Sequence, residues 1–473
     1  MYQAGSEQHR KIVSAVARSS IRPPKTLRNV DWPRFLQAYY ANVDAEDLAA
    51  REPSELAGMA LSHLLFARQR RRSALVRVFN PTLREYGYAS PHTVIEMVND
   101  DMPFLVDSIG LALTQRALTL HFLTHPIFAV KRDAGGNLLA LRERSETPQG
   151  AQPGHLKLRL ESFQHIEVDR IVDPAVLAAL ALQIERSMRD VRVACADWLK
   201  MQQAAHEAAQ ELSSASARVD ESNLNEAIAL LSWMEDRHFT FLGYREYRLR
   251  GDKGRETLQP IAATGLGILR SGRKQPASTG RALSSDIRRQ SRSRDIVLVT
   301  KANFESTVHR SGYLDYVGVK HFDGKGRLIG EKRFLGLWTS TAYSSNPREI
   351  PVLRHKVAQV VQHFALAPDS HDGKALQHIL ESFPRDELFQ ASVAELNRIV
   401  TGIFGLQERP RVRLLLRRDA FRRFYSCLVY VPREKYNTQV RLRVERVVSE
   451  AFDARGIESQ VQIAESNLAR IHI

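Results

Sequence analysis

The sequence predicts a multi-domain α+β protein, and three observations carry that reading. At 473 residues the chain is about three times the length of an average domain. Strand-like and helix-like stretches alternate along it, with a strand, helix, strand-pair, strand order between Ala74 and Val168 and a strand-pair, helix, strand-pair order from Arg411 onward, each the pattern of a sheet backed by helices. With 43% hydrophobic and 26% charged residues, the composition is that of a globular protein and excludes fibrous, collagen-like and wholly disordered chains.

Residues 1–30, ending in Arg22-Pro23-Pro24, read as a flexible leader. Helical spacing follows over Trp32–Tyr40 and Glu52–Arg72, where Leu56, Met59, Ala60, Leu64 and Leu65 recur on one face. The basic run Arg68–Arg72 suits the negative end of that helix. Thr93–Met97 is a strand. Asn99-Asp100-Asp101-Met102-Pro103 then has the polar residues and early proline that start helices. Phe104, Leu105, Ile109, Leu111 and Leu113 extend it as a helix. Leu118–Val130 is β-rich, Lys131–Asn137 is a turn, and Leu138–Leu141 and Leu156–Val168 are strands separated by the polar loop Glu146–Gly154.

Pro174 opens a long amphipathic helix reaching about Ser214, followed by a helix at Asn223–Arg237 and a strand at Phe239–Leu249. The segment 270–294 holds eight basic residues against the single acid Asp286 and almost no large apolar ones, which predicts a disordered basic loop. It supplies about half of the formal net charge of +15, so the basic balance is partly a loop property and weak evidence for a nucleic-acid face; with no helix-turn-helix, RNP or zinc pattern either, nucleic acid is not the expected partner. Strands return at Ile296–Ala302 and in a hairpin, Tyr313–Trp338, turning at Asp323-Gly324-Lys325-Gly326. Helices are expected at Ile350–Phe364, Gly373–Ser382 and Glu387–Phe404. The last unit comprises strands Arg411–Arg417 and Phe424–Val431, a helix Asn437–Phe452, and strands Ser459–Ala464 and Leu468–Ile473. Ending in a strand, the chain reads as a fragment of a longer one.

The domains expected are therefore the leader 1–30, a helical lead-in with a first α+β domain over 31–172, a helical and mixed middle region over 173–404, and a second α+β domain over 405–473, truncated at its last strand. Two cysteines, Cys195 and Cys427, make no disulfide framework and point to a reducing, cytoplasmic setting. Neither the first twenty residues nor the apolar stretch Ala175–Leu182 resembles a signal or a membrane span.

Chemistry-bearing motifs are few. No phosphate loop, nucleophile elbow or paired zinc-binding histidines occur. His206-Glu207-Ala208-Ala209-Gln210 has Gln210 where a second imidazole would be needed. The glycines at 324, 326 and 330 lie between two strands, whereas a dinucleotide loop must open a helix. His121 and His125, four apart in a strand, read as semi-buried core residues. No catalytic, cofactor-binding or metal-ligating residue is assigned. One candidate site stands out: a strand running into a helix start offers free amides to a carboxylate, and a nearby carboxylate can accept an ammonium group. The residues are Asn99, Asp100 and Asp101, with the backbone amides near Met102 and Phe104; the more ordinary reading of the two aspartates is a helix cap.

Long blocks of this chain resemble one family. Val98-Asn99-Asp100-Asp101-Met102-Pro103-Phe104-Leu105-Val106-Asp107-Ser108, Thr124-His125-Pro126, Glu161–Arg170, His238–Arg245, Arg333–Leu337, Phe383–Phe389 and Phe424–Arg433 are similar, in order, to the N-terminal portion of the large bacterial NAD-specific glutamate dehydrogenases. The resemblance implies ACT-like (ferredoxin-like) units separated by helical and mixed segments, a first over about Ala74–Arg170 and a second from Arg411. It implies amino-acid effectors, a homo-oligomer, and a downstream catalytic domain that oxidises L-glutamate with NAD. None of the family's catalytic or nicotinamide-binding motifs is matched here. A stand-alone amino-acid-sensing or scaffolding protein without catalysis is the alternative.

Overall fold

The computed structural model describes residues 7–27, 29–71, 73–144, 158–214, 220–251, 256–270, 295–407, 409–454, 456–463 and 467–473. Most of the basic segment 270–294, and the loop Glu146–Gly154, lie outside the described residues; Arg270 is described and pairs with the buried Asp197 (2.6 Å). The chain forms two compact units, one running to Ala196 and including Glu305–Gly312, the other made of the remainder.

The first unit contains α1 (Glu7–Arg18), α2 (Trp32–Tyr39), α3 (Ala45–Ala49), α4 (Pro53–Phe66), β1 (Leu75–Phe79), α5 (Leu83–Tyr86), β2 (Thr93–Asp100), α6 (Leu105–Thr114), β3 (Leu120–Thr124), β4 (Ile127–Arg132), β5 (Leu138–Glu143), β6 (Arg159–Val168) and the first part of α7 (Pro174–Ser214). Its sheet runs β1-β2-β6-β4-β5, with β3 also on β6. All its pairings are antiparallel. β2 and β6 set the register that matters below: Glu96 faces His165, Val98 faces Phe163, Asn99 faces Ser162 and Asp100 faces Glu161. Since side chains alternate between faces, Glu96, Asp100, Glu161 and His165 share one side, and Asn99, Ser162 and Gln164 the other.

The first of those faces is covered by helices. Val13 and Val16 of α1, Phe35, Leu36 and Tyr39 of α2, and Leu56, Met59 and Leu64 of α4 pack with Val98, Phe122, Phe128 and Phe163. This corrects the flexible leader expected over residues 1–30. His9, Val13 and Val16 recur at helical spacing and are buried, and His9 bonds the Tyr40 carbonyl at 2.9 Å, so much of the segment is core. α6 and α7 run side by side in opposite senses: Arg116 bonds Gln183 (2.6 Å) near one end, and Cys195 contacts the Pro103 carbonyl (3.8 Å) near the other.

The second unit takes the rest of α7, then α8 (Glu221–Trp233), β7 (Phe239–Arg250), β8 (Thr257–Pro260), β9 (Leu266–Gly267), β10 (Val297–Glu305), β11 (Tyr313–Phe322), β12 (Leu328–Trp338), α9 (Ser340–Ser344), α10 (Leu353–Phe364), α11 (His371–Ser382), α12 (Arg385–Gln390), α13 (Val393–Gln407), β13 (Arg413–Arg418), β14 (Tyr425–Pro432), α14 (Thr438–Phe452), β15 (Gln460–Ile463) and β16 (Leu468–His472). One sheet runs β10-β11-β12-β7-β8 with β9 on β7, and the C-terminal sheet runs β13-β14-β16-β15. Phe241, Phe334, Trp338, Leu353, Leu396 and Ile399 share a core with Leu415, Leu428 and Leu468 of the C-terminal sheet. The single helix expected over Glu387–Phe404 is two. Ser392 interrupts it with a reciprocal cap, its hydroxyl accepting from Glu395 N (3.3 Å) while its own amide donates to the Glu395 carboxylate (2.9 Å). Among the described residues no helix is long and apolar enough to cross a membrane.

Candidate functional site

β2 ends at Asp100 and α6 begins at Leu105, so the predicted residues occupy a strand end and a four-residue turn. Asn99 is 1% exposed. Its side-chain oxygen accepts from Arg192 of α7. Asp100 is held from two sides, by Arg70 at 2.9 Å and Arg192 at 2.7 Å. Burial pushes its carboxyl up, but the bonds and charge of the two arginines outweigh that and hold it below the usual range. Arg70 also reaches Glu161 (2.8 Å), which Arg132 grips bidentately (2.8 and 2.7 Å). Asp100 is therefore spent on the fold.

Asp101 is half-buried and its amide donates to the Leu160 carbonyl at 2.9 Å. Met102 is half-buried, and Phe104 is the residue before the helix, left-handed at φ 69° and without a side-chain cap. This corrects the capping reading: neither Asp100 nor Asp101 caps α6, because the turn continues four residues past β2 before the helix starts. The first backbone bond of α6 is from Ser108 N to the Phe104 carbonyl (3.0 Å), which leaves the first-turn amides as donors aligned with the positive end of the helix.

Residues Glu305–Gly312 close over this turn. His309 N donates to Ser108 Oγ (3.0 Å), its Nδ1 pairs with Asp107 (2.9 Å), and its ring lies 4.8 Å from that of Phe104. Between Asp101 and the first turn of α6 the site can thus offer a carboxylate to an ammonium group and amides to a carboxylate. His125 stands near; burial pulls its imidazole below the usual value, opposed by the charge of Asp101.

The other titratable cluster lies on the helix-covered face. His63, Glu96 and His165 place one ligand atom each within 4.8 Å of one another. They do not suit a cation. The His63 Nε2–H donates to the Met97 carbonyl (3.1 Å), so its Nδ1 accepts from Tyr39 Oη (2.8 Å), and both nitrogens are used. Arg77 pairs with Glu96, and Arg51 with Glu167 at 2.9 Å, which adds two positive charges. The trio is a hydrogen-bonded core network.

His121 and His125 are parted. His121 bonds Asp169 (2.7 Å) and stacks on His92 (4.2 Å), while His125 bonds Ser162 (2.8 Å). The glycine run from 324 is a hairpin turn, and the Asp323 carboxylate accepts the amides of Lys325 and Arg327 (2.9 Å each) that a pyrophosphate would need. It does not fit a dinucleotide. Arg70, Arg192, Ser162, Gln164 and His309 come to the site from distant sequence and were not foreseen. The one sequence signal was β6 itself, where polar Glu161, Ser162, Gln164, His165 and Glu167 interrupt a strand that is buried on both faces.

The same stretches match known proteins. Residues 35–184 match the family model "Glutamate dehydrogenase, ACT1 domain", 350–409 "Glutamate dehydrogenase, helical motif 1", and 413–473 "Glutamate dehydrogenase, ACT2 domain". The NAD-specific glutamate dehydrogenase of Halomonas elongata is 38% identical over 444 residues, that of Pseudomonas aeruginosa 36% over 443, and that of Mycobacterium tuberculosis 26% over 380. The first two matches cover 92% of this chain and the third 80%. The chain spans 27% of the length of the first two relatives and 22% of the third. With three segments of one enzyme family in order, and these identities over most of its length, the chain belongs to the NAD-specific glutamate dehydrogenases and corresponds to their ACT1, helical motif 1 and ACT2 portion.

Proposed function

We propose that this chain is the regulatory portion of a cytoplasmic enzyme that converts L-glutamate, NAD and water to 2-oxoglutarate, ammonia and NADH, with catalysis carried out by a downstream domain in a homo-oligomer. The domains proposed are those expected above, except that the leader joins the first. The turn between β2 and α6 senses an amino-acid effector: Asp101 takes the ammonium group and the amides near Met102 and Phe104 take the carboxylate. Asn99 and Asp100 hold the turn in place through Arg192 and Arg70. The observation that carries this reading is the uncapped start of α6 beside Asp101, within the segment matching the ACT1 model. An effector acts only through unequal affinity for two enzyme states. NAD would supply the hydride acceptor when bound; the glycine-rich hairpin turn at 324–330 does not fit it.

The test is to assay the purified chain for glutamate-dependent NAD reduction while titrating amino acids calorimetrically. Saturable binding without turnover is expected. Turnover would overturn the placement of catalysis downstream, and absence of binding to every amino acid would remove the effector reading.

A further inference from the structure

The sheet face opposite the one covered by α1, α2 and α4 is also buried; it carries a row of neutral polar side chains, and two of its atoms have no partner among the described residues. Asn99 Nδ2 and Gln164 Oε1 are both buried and unbonded; the two residues are each 1% exposed. The Asn99 orientation is fixed, because a guanidinium only donates and Arg192 must therefore meet its oxygen. Its unpartnered atom is then a donor. Gln164 Nε2 donates to Ser162 Oγ (3.2 Å), and His125 Nε2 bonds the same hydroxyl at 2.8 Å. That leaves the Gln164 oxygen as an acceptor. Asn99 faces Ser162, and Gln164 lies two residues further along the same strand, so the free donor and the free acceptor are diagonal neighbours on one face.

Groups buried this way are costly unless something pairs with them. What would pair with both must accept a hydrogen bond and donate one. The row's own side chains carry no full charge: asparagine, serine and glutamine are neutral, and burial pulls the His125 imidazole toward its neutral form, opposed by the charge of Asp101. Arg192, which touches Asn99, is already paired with Asp100 (2.7 Å), and Asp101 adds a negative charge beside His125, so a carboxylate placed there would lose its hydration for little return, whereas a carboxamide or hydroxyl meets both atoms.

We propose that Asn99, Ser162 and Gln164 recognise the side chain of the effector, and that the effector is an amino acid with a neutral hydrogen-bonding side chain, a carboxamide or a hydroxyl. This rests on the effector reading above, which places the ammonium and carboxylate groups at the neighbouring turn. It adds a selectivity that the turn alone does not give. Glutamine and glutamate are nearly the same shape, so the row should separate them by charge.

The experiment is calorimetric titration of the 473-residue chain with glutamine, asparagine, serine, threonine, glutamate and aspartate, repeated on Gln164→Leu, with thermal unfolding of both proteins. The expected result is binding of the amide or hydroxyl amino acids at least tenfold tighter than the acidic ones. The two neutral classes are told apart within the same series. Gln164→Leu should lose at least tenfold in affinity yet melt no lower without ligand, because it removes an unpaired acceptor from the interior. A purely structural glutamine would show the opposite, a lower melting temperature with affinity unchanged. If Gln164→Leu fails to fold, Ser162→Ala, which adds no bulk, gives the affinity readout alone, since it also unpairs His125 and Gln164 Nε2. Tighter binding of the acidic amino acids, or unchanged affinity in a folded variant, overturns this assignment and leaves the effector site standing. No binding of any amino acid to the wild-type chain overturns both.

Discussion

The sheet of the first unit and the C-terminal sheet are both antiparallel and helix-backed, yet they bury different chemistry. β6, in the first, holds Glu161, Ser162, Gln164, His165 and Glu167 inside the protein, each within hydrogen-bonding or ion-pairing reach of a partner. β14, in the other, buries Cys427, Leu428, Val429, Tyr430 and Val431. Its far face is lightly covered: Val429, Val431 and Ile471 meet Val440 and Val444 of α14, while Leu442 and Val447 of that helix are 41% and 56% exposed. The first sheet spends stability on placing polar groups, as a recognition element must. The second is an apolar packing element whose mutations should behave like ordinary core changes.

That contrast breaks first at Glu161. Replacing it with alanine leaves Arg70 and Arg132 facing each other in the interior, and the cost should be about 3–5 kcal/mol, read from urea unfolding. Ile471→Val, at a fully buried position of the C-terminal sheet, should cost only about 1 kcal/mol. Similar losses from the two changes would mean that the ion cluster is not worth more than packing.

The pH dependence of the first unit sharpens the same point, because its histidines are shifted in opposite directions. Burial holds His63 neutral, with its pKa lowered to about 4. Between its unfolded value near 6.5 and about 4, the unfolded chain binds the extra proton, so stability falls as pH falls, by on the order of 3 kcal/mol in total. Burial also works against charge on His165, but the Glu167 carboxylate 3.6 Å away and the imidazole's bond to Glu96 (3.2 Å) win and raise its pKa. Its contribution is full below about 6.5 and is lost as pH rises through the folded value. Glu96, lowered to about 2 although burial opposes it, extends the acid limb. Unfolding followed against pH should therefore peak near pH 6.5 for this unit, and His165→Met should flatten the alkaline limb and also weaken the acid limb, because His165 helps to hold Glu96 and Glu167 ionised. An alkaline limb unchanged in that variant would show that His165 is not the group responsible.

Most of the strands and helices were legible because their apolar spacing is strong. β7, the β11–β12 hairpin, β14 and α14 lie within two residues of the expected positions. Two kinds of feature were not. α1 was not legible because its buried stripe is short, His9, Val13 and Val16 among charged and small residues, and Arg22-Pro23-Pro24 breaks the pattern soon after it. The capping reading at Asp100 failed because polar residues before a proline look alike whether the helix starts at once or four residues later. The strand end at Asp100 is decided by pairing with Glu161, some sixty residues away in sequence. For the site, the turn itself could be read locally. Arg70, Arg192, Gln164 and His309 could not, because the fold and not the sequence neighbourhood brings them there.

The smallest effects compare the two helix starts directly. α14 has a side-chain cap, Asn437 accepting from Val440 N at 2.9 Å, and Asn437→Ala should cost about 1 kcal/mol. α6 has none, so Asp101→Ala, which a capping role would make equally costly, should change stability by no more than about 0.5 kcal/mol. If Asp101 serves an effector, the same variant should instead lose amino-acid binding in the calorimeter. Stability loss on the scale of Asn437→Ala would restore the cap. A stable variant with unchanged affinity would take Asp101 out of the site and leave the ammonium group to another acceptor. The expected pair, stability retained and affinity lost, is what separates a helix start kept open for a ligand from one that is simply closed.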